Sequence, residues 1–173
     1  IPSLPPRLAS CLTHSLPPAK TWSAEHPEHA PPAILPEIKG NDLHLPVPYG
    51  FWNAGDLDTL DARIRSVFSE ADMFTPDDLR GAHATLPEAI AKDGWPEINS
   101  VRGQVMFMMD NGGTLHDWYK AGHPGLSGRV LFTNANPGED ADAFIKRNES
   151  IEEKAESQPL VTQGYVWRTR GGT

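Results

Sequence analysis

The feature that most constrains this fold is an uninterrupted apolar run near the middle of the chain, Val105–Met109. It stands between Gln104 and Asp110, and Asn111–Gly113 follows as a turn. A strand with one face in water alternates apolar and polar residues, whereas a continuous apolar run indicates burial on both faces. We therefore predict that residues 104–110 form the central strand of a parallel sheet, with its methionines filling the core.

Strands and helices alternate along the rest of the chain. Short apolar runs bounded by Pro, Gly or Asn predict further strands at Ala33–Ile38, Ala71–Phe74, Arg129–Thr133 and Tyr165–Thr169. Helical spacing and helix-start residues predict helices beginning at Gly55–Asp56 and Thr75–Pro76, and others over Leu86–Lys92, Leu115–Lys120, Asp140–Arg147 and Ile151–Val161. This order indicates an α/β fold with a parallel sheet, closed either as an open doubly wound sheet or as a (β/α)8 barrel.

The first 36 residues hold nine of the 17 prolines. Each proline fixes φ and lacks a backbone donor, so this stretch is predicted to be loops with one or two short helices. The candidate helices are Arg7–Leu16 and Lys20–His26. Apolar residues such as Leu16 and Trp22 argue for an ordered segment that buries them, against a disordered linker.

Composition excludes several classes of protein. The 173 residues suit one domain, and 15 Lys and Arg against 23 Asp and Glu give a net charge of −8. An acidic chain argues against nucleic-acid binding, because phosphate contacts need a basic footprint. The single cysteine, Cys11, excludes a disulfide-stapled domain. No apolar run approaches the roughly 20 residues that cross a bilayer.

Polar side chains follow the predicted strands, at the sheet edge where α/β folds place their active sites. They are Glu37 and Lys39, Asp110, Thr133 and Asn134, and Arg168 and Arg170. Residues two apart in a strand point to the same side, so the Glu–Lys and Arg–Arg pairs are each expected on a common side. Structural ion pairs in a barrel floor are the alternative interpretation.

This set of residues suits an anionic substrate. Arginine matches phosphate oxygens with two donors, lysine adds a point charge, and carboxylates bind a hard divalent cation through oxygen. Phosphodiester cleavage needs the same groups, because charge builds on the phosphoryl oxygens. We predict catalytic roles for Lys39 and Asp110, substrate binding by Arg168, Arg170 and Asn134, and metal binding by Glu37.

The histidines and the common sequence motifs give weaker indications of function. His26 and His29 have the spacing of a metal pair, but Pro27 disfavours the helix that would align them, so we expect a loop with solvated imidazoles. Gly-x-Ser-x-Gly, G-x-G-x-x-G and Walker A sequences are absent. The Gly-rich segment Gly122–Gly128 precedes its strand and is predicted to be a turn.

Several blocks of this sequence, in order, resemble the Ca²⁺-dependent phosphoinositide phospholipase C family of bacterial and fungal type. The resemblance covers essentially the whole chain, and the order and spacing of the blocks are more specific than any one of them. The blocks are Ser10–Leu12, Trp22, His26–His29, Glu37–Lys39, Phe74–Asp77, Leu79–Gly81, Gly94–Pro96, Val101–Asp110, Leu126–Phe132, Ala143–Asn148 and Gly164–Arg170.

The resemblance implies a (β/α)8 phosphodiesterase barrel. Such enzymes use two histidines as acid and base, attack by the inositol 2-hydroxyl on phosphorus, and Ca²⁺ held by carboxylates. By position, Glu37 would match a metal-binding carboxylate, Lys39 would lie near the phosphate, and Arg168 and Arg170 would lie at the substrate mouth. The implied partner is a phosphoinositide or a related phosphodiester lipid at a membrane surface.

One departure from the family matters. Its histidine-bearing strands precede the region seen here, and nothing in residues 1–36 replaces them. We count about five strands where a barrel has eight. We therefore expect residues 1–173 to be the central and C-terminal part of a single barrel domain, without its first strands and its last one, and to be inactive alone.

The alternatives to a phosphoinositide phospholipase C differ from it in the product released or in the absence of turnover. A glycerophosphodiesterase or a sphingomyelinase-like lipase of the same fold would release no inositol phosphate. A non-catalytic lipid- or sugar-binding remnant would bind without turnover. The chain opens at Ile1 without a visible signal peptide, so localisation is open at this stage, although the family resemblance suggests a secreted or periplasmic enzyme.

Overall fold

A three-stranded parallel sheet organises the computed structural model, which describes residues 6–36, 38, 52–109 and 111–133. Its strands are β1 (Ala33–Ile34), β2 (Met106–Met109) and β3 (Leu131–Thr133), in the order β1-β2-β3. All four residues of β2 are buried, which confirms the predicted central strand. The register pairs Ala33 with Met106, and Phe107 with Leu131.

The predicted strand Ala71–Phe74 is wrong as a strand. Residues Glu70–Asp72 form a 3-10 turn, and only Met73 makes a single parallel bridge, to Val105. The cause is local: the backbone N–H and the hydroxyl of Ser69 both donate to Asp72 Oδ2, at 2.8 and 2.6 Å. This capping arrangement closes the chain into a turn before it can extend beside β2.

Helices pack beside the sheet, and four of them begin within two residues of the predicted starts. They are α2 (Ala54–Arg65), α3 (Pro76–Arg80), α4 (Leu86–Asp93) and α5 (Gly113–Lys120), with 3-10 turns at Ile98–Val101 and Pro124–Leu126. Asn53, Thr75 and Thr85 cap the first three of these helices with side-chain oxygens. The 3-10 turn at 124–126 confirms the predicted Gly-rich turn.

The N-terminal segment differs from the prediction of loops with one or two short helices, for which Arg7–Leu16 and Lys20–His26 were the candidates. A single helix, α1 (Pro6–Glu25), runs through Pro17 and Pro18. A proline inside a helix removes one backbone hydrogen bond and adds a steric clash, so contacts on both sides of Pro17 and Pro18 must offset this cost. Leu16 is buried before the prolines, and Lys20 pairs with Asp72 at 2.5 Å after them. Trp22, expected to be buried, is 44% exposed.

The core lies on both faces of β2, because successive strand residues point to opposite faces. On one face, the Phe107 ring meets Phe68 edge to face at 5.4 Å, and Lys20 of α1 lies 5.9 Å from the Phe68 ring. On the other face, Phe74 stacks with Phe132 of β3 at 5.8 Å. The three methionines of β2 are all buried, which confirms that they fill the core.

Three predicted elements lie outside the described residues. They are the strand Tyr165–Thr169 and the helices Asp140–Arg147 and Ile151–Val161. None of the helices in the described ranges has the length and apolar character needed to span a bilayer.

A buried polar network attaches α2 and α5 to β3. The Tyr119 hydroxyl donates to Asp61 Oδ1 at 2.7 Å and accepts the backbone N–H groups of Val130 and Leu131 at 3.2 and 2.8 Å. Arg129 donates from Nε to the Tyr119 carbonyl at 2.7 Å and from a guanidinium nitrogen to Asp58 at 2.6 Å. One hydroxyl therefore satisfies three groups, two of them backbone donors at the start of β3.

We expect Tyr119→Phe to lower the free energy of unfolding by about 2 kcal/mol, because it leaves a buried carboxylate and two backbone donors without that partner. Urea unfolding followed by circular dichroism measures the loss. Ser66→Ala is the control, since its hydroxyl bonds an exposed carbonyl, and its loss should stay within about 0.5 kcal/mol. Equal losses in the two variants would contradict a central role for the Tyr119 hydroxyl.

The Lys20–Asp72 pair predicts an acid-dependent contribution to stability. Burial raises the pKa of Asp72, but hydrogen bonds from Lys20 and Ser69 outweigh it, so the net shift is downward. Because the pKa of Asp72 is lower in the folded state, its carboxylate stabilises the folded protein at pH values above the unfolded pKa of about 3.9. That stabilisation is lost as the pH falls through the folded pKa.

We therefore expect Lys20→Met to cost about 0.5–1 kcal/mol near neutral pH, and the gap to the unmodified protein to shrink on acidification. Urea titrations at a series of pH values measure the gap. The control is Lys92→Met, which removes an exposed pair with Glu88 and should cost less at neutral pH. A gap that is constant in pH would contradict the assignment.

Candidate functional site at the carboxyl ends of the strands

The carboxyl ends of the three strands meet at one edge, because all three run parallel. Three described residues mark that edge. Thr133 is the last residue of β3, Asn111 comes two positions after β2, and Ile38 comes four positions after β1. This edge is where α/β folds place their ligands.

Asn111 ties the chain after β2 to the chain after β1. The Ile38 backbone N–H donates to Asn111 Oδ1 at 2.8 Å, and Asn111 Nδ2 donates to the Ile38 carbonyl at 2.7 Å. The side-chain amide thus takes the place that a neighbouring strand's peptide group would hold. We call these two hydrogen bonds the Ile38–Asn111 pair.

Thr133 brings an unused polar group to the same edge. Its side chain is buried, with 2% of its surface exposed, and within the described ranges its hydroxyl has no hydrogen-bond partner. A buried hydroxyl without a partner costs free energy, so native proteins rarely keep one without a role. The hydroxyl can donate to or accept from a ligand bound at the ends of the strands.

All six predicted site residues lie outside the described residues: Glu37, Lys39, Asp110, Asn134, Arg168 and Arg170. Their assignment stays a prediction. Four of them are sequence neighbours of residues that mark the edge. Ile38 stands between Glu37 and Lys39, Asn111 follows Asp110, and Asn134 follows Thr133.

Asn111 was not among the residues predicted for the site. It was predicted as part of the turn that ends β2, and that turn is present, since Gly113 adopts φ +61° there. The partner of Asn111 lies 73 positions away, and no local pattern names such a partner. The available signal was an asparagine directly after a carboxylate at a strand end.

His26 and His29 belong to local structure at the end of α1. His29 Nδ1 donates to the Ala30 carbonyl at 2.8 Å, and its Nε2 lies 2.7 Å from the Ser23 hydroxyl. Both ring nitrogens are therefore engaged, which argues against a His26–His29 metal pair. His26 is exposed as expected, whereas His29 is half-buried and not a solvated imidazole. The Trp22 ring lies about 5 Å from each imidazole.

Two groups with raised pKa values, Asp61 and Tyr119, lie near the start of β3, away from its carboxyl end. Burial raises the pKa of Asp61, against the hydrogen bond from Tyr119 and the positive charge of Arg129. Burial also raises the pKa of Tyr119 well above its usual range, and the Asp61 charge adds to the shift. Tyr119 therefore stays protonated and acts as a donor, which suits a structural network.

No metal centre is formed by the described residues alone. Within residues 6–36, 38, 52–109 and 111–133, no three His, Cys, Asp or Glu side chains come together as metal ligands would. The Thr133 hydroxyl is an oxygen ligand of the type that Ca²⁺ prefers. The carboxylates of Glu37 and Asp110 are of the same type, and their place in the site stays a prediction.

Comparison with known proteins gives one match to a family model. A family model described as phosphoinositide phospholipase C, Ca²⁺-dependent, matches residues 6–173. No protein with a curated description matches.

Solved structures share the fold. A Ca²⁺-dependent phosphatidylinositol-specific phospholipase C from Streptomyces antibioticus is 23% identical with a TM-score of 0.59, over 90% of this chain and 56% of that one. A calcium-dependent phosphoinositol-specific phospholipase C from Pseudomonas sp., a Gram-negative bacterium, is 19% identical with a TM-score of 0.54, over 87% and 48%.

The second enzyme is also similar in its myoinositol complex, with a TM-score of 0.54 and 19% identity over 87% of this chain and 47% of that one. The chain thus spans about half the length of these structures. At such identity the likeness shows the fold, and it confirms the predicted class, part of a (β/α)8 barrel. Three strands and one bridge are seen among the described residues, where about five strands were expected.

We expect Thr133→Val to raise the free energy of unfolding by about 1 kcal/mol, because it replaces an unsatisfied hydroxyl with a methyl group of the same shape. Thr75→Val is the matched control. The Thr75 hydroxyl caps α3 and bonds Asp78 at 2.7 Å, so its removal should cost about 1 kcal/mol. Destabilisation by both variants would show that the Thr133 hydroxyl has a partner in the folded protein.

Proposed function

The chain belongs to the Ca²⁺-dependent phosphoinositide phospholipase C family, and from that premise we propose that it forms part of a phosphodiesterase site. The proposed substrate is a phosphoinositide at a membrane surface. The observation that carries the proposal is the family match over residues 6–173, which leaves only five residues outside it. The parallel edge with Ile38, Asn111 and Thr133 supports the location of the site.

The register supports a common face for two of the predicted residues. Met108 pairs with Phe132, so these two side chains share one face of the sheet. Two positions further along each strand come Asp110 and Asn134. If the alternation continues by one step, a carboxylate and an amide meet on that face at the carboxyl edge.

The predicted donors fit Ca²⁺, with Glu37 as the proposed protein ligand. Glu37 and Lys39 stand on either side of Ile38 in the sequence, and the Asn111 side chain bonds the backbone of Ile38. Bound Ca²⁺ would neutralise negative charge on the phosphoryl oxygens of the substrate.

The chain's own cations would bind the phosphate from other sides. We assign Lys39, Arg168 and Arg170 to the phosphoryl oxygens, because a guanidinium presents two parallel donors and an ammonium a compact charge. Asn134 would donate to or accept from a substrate oxygen through its amide. Asp110 would accept a hydrogen bond at the reacting centre, and with Lys39 it would orient the phosphate and its attacking hydroxyl.

We propose that the acid and base histidines come from another part of the full-length protein. Among the described histidines, His29, His83 and His123 each have a ring nitrogen bonded to a residue within ten positions in sequence, namely Ala30, Asp93 and Ser127. The chain spans 56% and 48% of the two phospholipase structures, which leaves room for further strands in a complete barrel.

The test is Glu37→Gln in the full-length protein. We expect Ca²⁺-dependent release of inositol phosphate to fall by about 100-fold or more, because one ligand charge is lost. Phosphorus NMR of the water-soluble product from phosphatidylinositol vesicles measures it. Glu28→Gln is the matched control, since Glu28 is exposed on the turn before β1, and its turnover should not change.

Each outcome decides between functions. Unchanged calcium dependence in Glu37→Gln would contradict the metal assignment. Release of glycerol phosphate or phosphocholine in place of inositol phosphate would identify a related lipase of the same fold. Binding of inositol phosphate without turnover would identify a non-catalytic remnant.

A further inference from the structure

The Ile38–Asn111 pair is a polar link between described residues at the carboxyl edge to which the predicted site assigns no role. Its two hydrogen bonds, at 2.8 and 2.7 Å, join positions 73 apart in sequence. Ile38 is itself 3% exposed, so its backbone groups are removed from bulk water. Each of the two bonds satisfies a group that would otherwise cost free energy there.

The pair requires asparagine. The Ile38 N–H needs an acceptor and the Ile38 carbonyl needs a donor, and one planar amide supplies both. The reversed amide would set a donor against a donor and an acceptor against an acceptor. Aspartate lacks the donor, leucine lacks both groups, and glutamine is one methylene longer.

We infer that Asn111 is a positioning residue for the metal-binding and phosphate-binding side chains proposed above. It holds the backbone of Ile38, whose two sequence neighbours are Glu37 and Lys39, and it directly follows Asp110. One amide therefore fixes the two chain segments that carry three proposed site residues. This inference rests on the proposed function.

The physical reason is preorganisation. The chain after β1 leaves the sheet at Leu35 and has no strand partner at Ile38 except the Asn111 side chain, among the described residues. Without the amide, that segment gains conformational freedom, and a ligand must order it on binding. Outer partners of metal ligands characteristically change metal affinity by about 10–100-fold.

The test compares Asn111→Leu with the unmodified protein, because leucine keeps the size of the side chain and removes both hydrogen bonds. Isothermal titration with CaCl2 measures the Ca²⁺ dissociation constant, and amide hydrogen exchange reports the Ile38 N–H directly. We expect faster exchange at Ile38 and a dissociation constant raised by about tenfold or more in the full-length protein.

Asn99→Leu is the matched control. Asn99 Oδ1 accepts from Arg102 Nε at 2.8 Å on an exposed turn before β2, at the opposite end of the sheet. This variant should leave the Ca²⁺ dissociation constant and the Ile38 exchange rate unchanged. If Asn99→Leu raises the Ca²⁺ dissociation constant as much as Asn111→Leu does, the effect is not specific to the Ile38–Asn111 pair and the positioning inference is overturned.

The outcomes separate this inference from the proposed function. If the unmodified full-length protein does not bind Ca²⁺, the proposed function is wrong and the inference fails with it. If the unmodified protein binds Ca²⁺ and Asn111→Leu binds it equally well despite faster exchange at Ile38, the inference alone is overturned. Weaker binding in Asn111→Leu, with Asn99→Leu unchanged, supports both.

Discussion

Burial of β2 on both faces is the constraint on which the described structure depends. A strand without a solvent face needs backbone partners along both edges and apolar neighbours above and below it. β1 and β3 supply most of the partners, and the bridge between Met73 and Val105 supplies one more. Phe68 packs against the Phe107 side of the sheet, while Phe74 and Phe132 stack on the opposite side. The helices are arranged around a strand that cannot be exposed.

The polar groups at the two ends of this sheet differ in how fully they are hydrogen-bonded. On the amino side, the Tyr119 hydroxyl and Arg129 complete a buried network with Asp61, and Ser23 and His29 bond to each other near Gly103. Polar groups that are hydrogen-bonded to one another in this way stabilise the fold. At the carboxyl edge, the Thr133 hydroxyl has no partner among the described residues. An unused buried hydroxyl at the edge where parallel sheets bind ligands fits a division between a structural end and a functional end.

Sequence reasoning succeeded where the deciding interaction is local. The Thr75–Pro76 start of α3 depends on residues within three positions and was placed correctly. The starts of α2 and α4 were also placed to within two residues, although their caps, Asn53 and Thr85, were not predicted. One local interaction is an exception to this, and one contact between distant residues had no local signal. Ser69 and Asp72 close a turn that replaced the expected strand, and the Lys20–Asp72 contact accompanies a helix that continues through two prolines.

The sequence by itself determined the fold class, because strands that alternate with helices, one of them apolar on both faces, indicate a parallel α/β sheet. It also determined the family, through blocks of residues spread along the whole chain. The tertiary structure alone decided which distant residues meet at the carboxyl edge. Asn111 reaches Ile38 across 73 positions, and the register sets Met108 beside Phe132. Such pairings arise from packing of the whole sheet, and no local preference of the chain encodes them.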